Sequence, residues 1–353
     1  MKTKTCAENM IRETEKIIVG KRETIRLVLT AILAGGHVLL EDLPGSGKTT
    51  LVRTLSLVLG CRMQRVQFTP DLLPADITGM TVFNQKTGEF QLRVGPVNTN
   101  LLLADELNRA IPRTQAALLE AMEERQVTID GETFPLPEPF FVLATQNPVE
   151  QESTFPLPAA QLDRFFMKLS MGYPSREEEA EMLGSLGDRI PYEALTSQAS
   201  PELLKELKRE IEGVLVSPEV NRYIVELVQR TREHPAIRTG ASPRASRSLY
   251  QGGKAAAAII GRAFVTPEDI QGLFLPVLCH RIQLTSEARY SGKRPETVLE
   301  EILKSTPVPP DDAELLQKAG GESAGKGAGE SSGGAGAGAA QAASSAKQSG
   351  AQP

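Results

Sequence analysis

The chain has 353 residues, of which 40% are hydrophobic, 24% charged and 5% aromatic, with no tryptophan and a net charge of −5. That is the composition of an ordinary folded chain of about two domains, and its acidic balance argues against a protein that coats nucleic acid through a basic excess. The opening stretch Met1–Gly20 holds no continuous apolar run of the kind a secretory leader needs, and no later run approaches the roughly 20 residues of a membrane span. Cys6, Cys61 and Cys279 lie far apart without C-x-x-C spacing, which excludes a disulfide scaffold and an obvious zinc cluster. The expectation is a reduced, cytoplasmic chain with no membrane insertion.

As far as Gly172–Pro174, short apolar runs alternate with helical patterns, the signature of an α/β fold. The runs are His37–Glu41, Met63–Phe68, Asn100–Ala104, Phe140–Thr145 and Phe166–Met171. They are read as strands of a five-stranded parallel sheet covered on both faces. Thr49–Leu59 and Arg113–Arg125 read as helices between them. Two hairpins interrupt this core. Thr81–Phe83 and Glu89–Val94 flank a turn-forming loop, Asn84–Gly88, and Gln126–Ile129 and Glu132–Phe134 flank Asp130-Gly131. A plain βα repeat needs only short connections, so both hairpins are read as inserts.

Downstream of Pro174 the pattern predicts helices near Glu202–Val214, Pro218–Arg232, Pro243–Gly261 and Pro267–Val277, and no strand. From Ala319 to Pro353 the chain is almost wholly Ala, Gly and Ser, with too little apolar surface to offset chain entropy. The predicted organisation is an αβα core over 1–173, connecting helices over 174–214, a small all-helical domain over 215–312 and a flexible tail over 313–353.

Five segments carry chemistry. In Val38–Thr50 an apolar strand enters a Gly-rich turn, and Gly47-Lys48-Thr49 opens a helix. Pro44, Gly45, Ser46, Gly47, Lys48, Thr49 and Thr50 would surround a phosphate with backbone N–H groups and the positive end of a helix dipole, with Lys48 reaching the outer phosphates and Thr49 ligating Mg²⁺. Asp42 stands where the usual pattern begins with Gly. Next, the run Asn100–Ala104 ends in Asp105-Glu106, with Asp105 for Mg²⁺, directly or through water, and Glu106 for the attacking water. A third run ends in Gln146-Asn147-Pro148, where Asn147 would touch the water or the γ-phosphate, or else simply form an Asn–Pro turn. Arg164 is a candidate for a cation supplied to a neighbour's site; spacing does not select it over Arg109 or Arg113, and a surface pair with Asp163 is the plain alternative. Finally, Arg244 sits in the first turn of a helix, where a cation opposes the dipole. It either faces solvent or meets an anion.

In this order the segments resemble the MoxR family of AAA+ ATPases from about Ile18 to Ile282. The distinctive strings are Glu41–Gly45, Phe68–Gly79, Asn84–Gly88, Ala104–Ala110, Leu119–Met122, Ala144–Pro148 and Gly240–Arg244. Members of the family often lack the leading Gly, which accounts for Asp42. The resemblance implies an AAA+ core followed by a helical lid, Asn147 as first sensor, Arg244 as second sensor, Arg164 as arginine finger, and Val19-Gly20 as the adenine-contacting segment. It further implies ATP and Mg²⁺, a ring homo-oligomer such as a hexamer, and chaperone-like work on a protein client, including von Willebrand A domain proteins or metal-cofactor insertion. On this reading nucleotide also clamps the lid to the core through Arg244. The competing readings are the ATPase subunit of a metal chelatase, a DNA-acting motor, which the acidic balance disfavours, and a nucleotide-gated scaffold that barely hydrolyses ATP. His37, His234 and His280 do not cluster and are read as packing or surface residues; Arg26, Arg53, Arg62 and Arg65 read as solvated cations, and Glu177–Glu179 as a helix N-terminus.

Overall fold

The computed structural model describes residues 1–42, 45–147, 154–186 and 190–309. The expectations for Leu43, Pro44, Pro148 and the 313–353 tail lie outside the described residues. Two helices, α1 (Lys2–Glu15) and α2 (Arg22–Leu33), precede β1 (Val38–Glu41), α3 (Lys48–Val58), β2 (Met63–Gln67) and α4 (Pro74–Thr78). Then come β3 (Gly79–Asn84), β4 (Glu89–Val94), β5 (Leu101–Asp105), α5 (Pro112–Glu124), β6 (Gln126–Ile129), β7 (Glu132–Pro135), β8 (Phe141–Gln146), α6 (Ala159–Leu162) and β9 (Met167–Leu169).

The central sheet runs β2–β5–β8–β1–β9 with every pairing parallel. Side chains alternate across it. Leu39, Leu102, Ala104, Val142 and Ala144 pack with Leu118, Leu119 and Met122 of α5, whereas Val38, Leu40, Leu101, Leu103 and Leu143 pack against α1, α2 and α3. Both faces are therefore covered, which is why these strands read as continuous apolar runs. Each such side chain contributes about 1.5–3 kcal/mol on burial. The edge strand β2 departs from this: of its residues only Val66 is buried, and Arg65 and Gln67 are exposed.

Both hairpins form. In β3–β4, Gly79 lies opposite Val94 and Asn84 opposite Glu89. All of β4 is exposed, and the ring of Phe90, 74% exposed, lies tilted at 59° to that of Phe83 with centroids 5.2 Å apart. In β6–β7 the turn residues Asp130 and Gly131 take φ of 50° and 88°, while Val127 and Ile129 anchor the hairpin in the α5 cluster. The Asp130 carboxylate accepts from the Thr81 N–H at 3.2 Å, joining one hairpin to the other.

The rest is largely helical: α7 (Arg176–Leu186), α8 (Pro201–Glu212), α9 (Pro218–Glu233), β10 (Ile237–Thr239), α10 (Pro243–Ile260), α11 (Pro267–Leu278), β11 (Gln283–Leu284), α12 (Ser286–Tyr290) and α13 (Pro295–Ser305). Glu177–Glu179 do open α7, where Ser175 and Glu178 exchange N–H bonds as a capping box. Ser200, Ser217 and Ser242 cap α8, α9 and α10, each followed by proline. One short antiparallel ribbon, β10–β11, corrects the expectation of a strand-free region. Gly252 and Gly253 let α10 approach α11; a Cβ on Gly253 would come within 2.7 Å of Ile270 Cδ1. Leu249, Leu273 and Phe274 share one apolar cluster with Val38 and Leu40, so these helices pack directly on the core. Among the described residues no helix is long and apolar enough to cross a membrane.

Three buried polar contacts tie this packing together. The Asp42 carboxylate accepts from Ser170 Oγ at 2.6 Å, Met171 N at 2.8 Å and Gly172 N at 3.1 Å, fixing the chain after β1 to the chain after β9. Arg281, whose side chain is 2% exposed, pairs with Asp163 Oδ1 at 2.9 Å and donates to the Phe165 and Phe166 carbonyls. His37 accepts from the Val142 N–H on Nδ1 at 3.0 Å, so Nε2 carries the proton and donates to the Met122 carbonyl at 3.1 Å.

Two predictions follow from these contacts. Asp42→Ala leaves two N–H groups and a hydroxyl without their acceptor and should cost about 2–3 kcal/mol, read as a lower urea midpoint; an unchanged midpoint would show that the bonds contribute nothing net. Burial, aided by the Arg125 charge, pushes the His37 pKa down to about 3, and burial also holds His280 well below the ordinary imidazole value. The unfolded chain takes up protons below about pH 6.5 that the folded chain refuses, so stability is full above that pH and falls as pH drops. Between pH 7 and 5 the unfolding free energy should decline by up to about 1.4 kcal/mol per pH unit for each buried histidine. A flat profile in urea titrations over that range would contradict the neutral assignment.

Candidate nucleotide site

The strand order brings the ends of β5, β8 and β1 side by side. Beyond β1, Gly45 and Gly47 both adopt φ of 82°, a left-handed conformation that strains any residue with a Cβ. Gly47 is the N-cap of α3, so the first turn, Lys48–Leu51, points its N–H groups back toward the loop. Gly45, Ser46, Gly47, Lys48, Thr49 and Thr50 form one wall of a cavity of about 350 Å³. Asp105, Glu106, Thr145, Gln146 and Asn147 form the other. Ser46 Oγ is buried there with no hydrogen-bond partner among the described residues. A donor set of helix N–H groups, a lysine and an unpartnered hydroxyl fits a polyphosphate, and a hydroxyl and a carboxylate facing it, Thr49 and Asp105, fit a hard cation.

The carboxylate pair is held by its neighbours. Thr145 Oγ1 donates to Asp105 Oδ1 at 2.7 Å and accepts from the Glu106 N–H at 2.8 Å. This supports Glu106 in the left-handed region, φ 56°, where a non-glycine residue is uncommon. Arg65 reaches Asp105 Oδ2 through Nη2 at 2.7 Å and Nε at 3.3 Å, correcting its reading as a solvated cation. Gln67 Nε2 and Arg109 Nη1 both donate to Glu106 Oε2, at 2.7 and 2.9 Å. Lys48 Nζ donates to the Asp42 carbonyl at 2.7 Å. Asn147 is buried at the cavity wall, and its carbonyl accepts from Asn108 Nδ2 at 3.4 Å.

The structure does not bring every sequence candidate here. Val19 and Gly20 lie in the turn between α1 and α2 and do not line this cavity; a Cβ on Gly20 would collide with Glu178. Arg164 and Arg244 are also absent from its walls. Both pair with Glu123 instead and line a second cavity. Arg164 therefore does not pair with Asp163, and Arg244 is not simply solvated: it has met an anion. Its location differs from the expectation of a clamp on the same subunit's phosphates. Sequence reasoning passed over Thr145, Gln67 and Glu123. Thr145 lay inside the quoted string Ala144–Pro148, but Gln67 and Glu123 carry no local signal, because their partners are distant in sequence.

Comparison with known proteins agrees with this geometry. Residues 37–167 match the model of the ATPase family associated with various cellular activities, and residues 229–302 match an AAA lid domain. The Bacillus subtilis protein YeaC is 49% identical over 85% of this chain and 93% of its own length. Chaperone MoxR1 of Mycobacterium tuberculosis is 41% identical over 86% of this chain and 82% of its own. The crystal structure of an assumed ATPase from Cytophaga hutchinsonii superposes with a TM-score of 0.82 at 40% identity, covering 88% of this chain and 96% of that one. A cavity lined by the Gly45–Thr50 loop on a β2–β5–β8–β1–β9 sheet, a lid match, and a MoxR relative aligned over most of both chains lead to one assignment: the chain belongs to the MoxR family of AAA+ ATPases.

Proposed function

We propose that this AAA+ ATPase hydrolyses ATP between the Gly45–Thr50 loop and the Asp105-Glu106 pair, in a hexameric ring of its own copies, and uses the cycle to remodel a protein client. One observation carries the reading. The cavity between Gly45–Thr50 and Asp105-Glu106 lacks Arg164 and Arg244, the proposed arginine finger and second sensor, which line a different cavity with Glu123. Arginines needed for hydrolysis but outside their own site belong at a neighbour's, and a head-to-tail contact of that kind closes into a ring.

On this reading residues 1–173 bind nucleotide and 215–312 form the lid. The loop N–H groups and Lys48 hold the triphosphate. Thr49 and Asp105 would hold Mg²⁺, which supplies positive charge against the outer phosphate oxygens. Glu106 polarises the attacking water. Gln67 and Arg109 both donate to its Oε2 and hold the carboxylate in place. Water adds to the γ-phosphorus, the bond to ADP breaks, and the water's proton passes through the Glu106 carboxylate. Asn147 orients the water or the γ-phosphoryl group without adding charge. Arg164, from the adjoining subunit, stabilises the charge that develops on the transferring group. The exposed apolar hairpin β3–β4, with Phe83 and Phe90 at the surface, supports a role in touching the client.

Glu106→Gln should keep ATP binding by isothermal titration and lose at least about 10² in turnover. Retained turnover would falsify the assignment of the water-polarising residue. Arg164→Ala should lower turnover by about 10³ while ATP still binds. Mixing Arg164→Ala with Glu106→Gln protein should restore part of the activity, because an intact cavity then meets an intact arginine; failure of every mixing ratio would place Arg164 in cis.

A further inference from the structure

Glu123, in the last turn of α5, holds both outlying arginines. Its Oε2 lies 3.2 Å from Arg164 Nη1, and its Oε1 accepts from Arg244 Nη2. The cavity they line measures about 240 Å³ and carries five arginines against two carboxylates, Glu123 and Asp163. Asp163 cannot serve the outer arginines. Its Oδ1 is taken by the buried Arg281 at 2.9 Å and its Oδ2 by the Ser242 hydroxyl at 2.7 Å. Those two bonds also fix the residue before Arg164 to the N-cap of α10, which carries Arg244 and Arg247, so the arginines share one frame.

The side chains of Arg164, Glu123 and Arg244 are 31%, 36% and 48% exposed, within reach of a second chain. Ion pairs this exposed exchange easily. Two guanidinium groups spaced to grip one carboxylate are also spaced to grip a phosphoryl group, which offers more charge and three acceptor oxygens. The N-terminus of α10 adds its dipole to the same attraction.

We propose that Glu123 keeps the seat of a phosphoryl group: it holds Arg164 and Arg244 together in the free subunit and yields them to the terminal phosphate of ATP in the adjoining subunit's cavity. This rests on the reading above that the arginines serve a neighbour. Glu123 is thus a positioning residue that competes with the nucleotide, and removing its charge removes the competitor.

The test is steady-state ATPase of the full-length assembled protein against ATP concentration, for wild type, Glu123→Gln and Glu123→Ala, with Arg164→Ala and Arg244→Ala alongside and thermal midpoints recorded for all. The expected result is a KM for ATP about three- to tenfold lower in both Glu123 variants, with each arginine variant losing turnover. A merely structural Glu123 would instead lower the thermal midpoint and kcat without lowering KM, and that overturns the proposal. So does an unchanged or raised KM. If KM fails to fall while the arginine variants are inactive, only the role of Glu123 is lost; if the arginine variants keep full turnover, the placement of the arginines at a neighbour's site falls with it.

Discussion

A parallel sheet buried on both faces shows its polar groups at its edges and along the lines where its strands end. In this chain β5, β8 and β1 are adjacent, and their polar ends are Asp105-Glu106, Gln146-Asn147 and Glu41-Asp42. Everything the cavity needs is therefore collected by strand order rather than by sequence proximity. Local bonds then refine it. Thr145 sets the two carboxylates relative to each other, and Asp42 pins the start of the phosphate loop to the chain after β9. A carboxylate where glycine is usual exchanges backbone freedom for an anchor.

The parts legible in the sequence were those whose physics is local. All five strands were readable, β1, β5 and β8 because two-sided burial leaves no polar alternation, and the loop–helix junction because only glycine tolerates φ near 82° ahead of Lys48. The Asp130-Gly131 turn announced its hairpin for the same reason. Less was readable where the cause is tertiary. Ribbon β10–β11 pairs strands of three and two residues, too short for any periodicity. Arg65 looked like a scattered surface cation because its partner, Asp105, stands on the next strand. The partner of Arg244 is a glutamate 121 residues away, and no spacing rule connects them. Sequence left that cation with two outcomes, solvent or an anion, and the fold supplies the anion.

Coupling between the core and the helical region runs through Asp163. Its carboxylate joins Ser242 at the start of α10 to Arg281 beyond α11, and Arg281 also grips the carbonyls leading into β9. A guanidinium with a 2% exposed side chain cannot lose that carboxylate cheaply, since an uncompensated buried charge costs about 3–5 kcal/mol. The segments bearing Arg164 and Arg244 are thereby set to move together. Under the proposed mechanism, a displacement imposed at either arginine would be carried through these bonds into both the sheet edge and the lid helix.

The proposed catalytic charges are already paired within the chain. Arg65 and Arg109 pair with Asp105 and Glu106, and Glu123 pairs with Arg164 and Arg244. Each proposed half-site carries its own counter-charge before any nucleotide arrives. Under the proposed mechanism, ATP binding between subunits exchanges these internal pairs for pairs through the phosphates. The net free energy is then a difference between two satisfied states, and a ligand shifts an equilibrium only by such a difference. A bare basic face would grip the triphosphate and its product with little discrimination. A face that already holds a carboxylate releases its arginines only to an anion that binds better, and takes them back once the γ-phosphoryl group has left. In the proposed ring, reversible exchange of this kind would let each contact form and release with turnover rather than remain locked on its nucleotide.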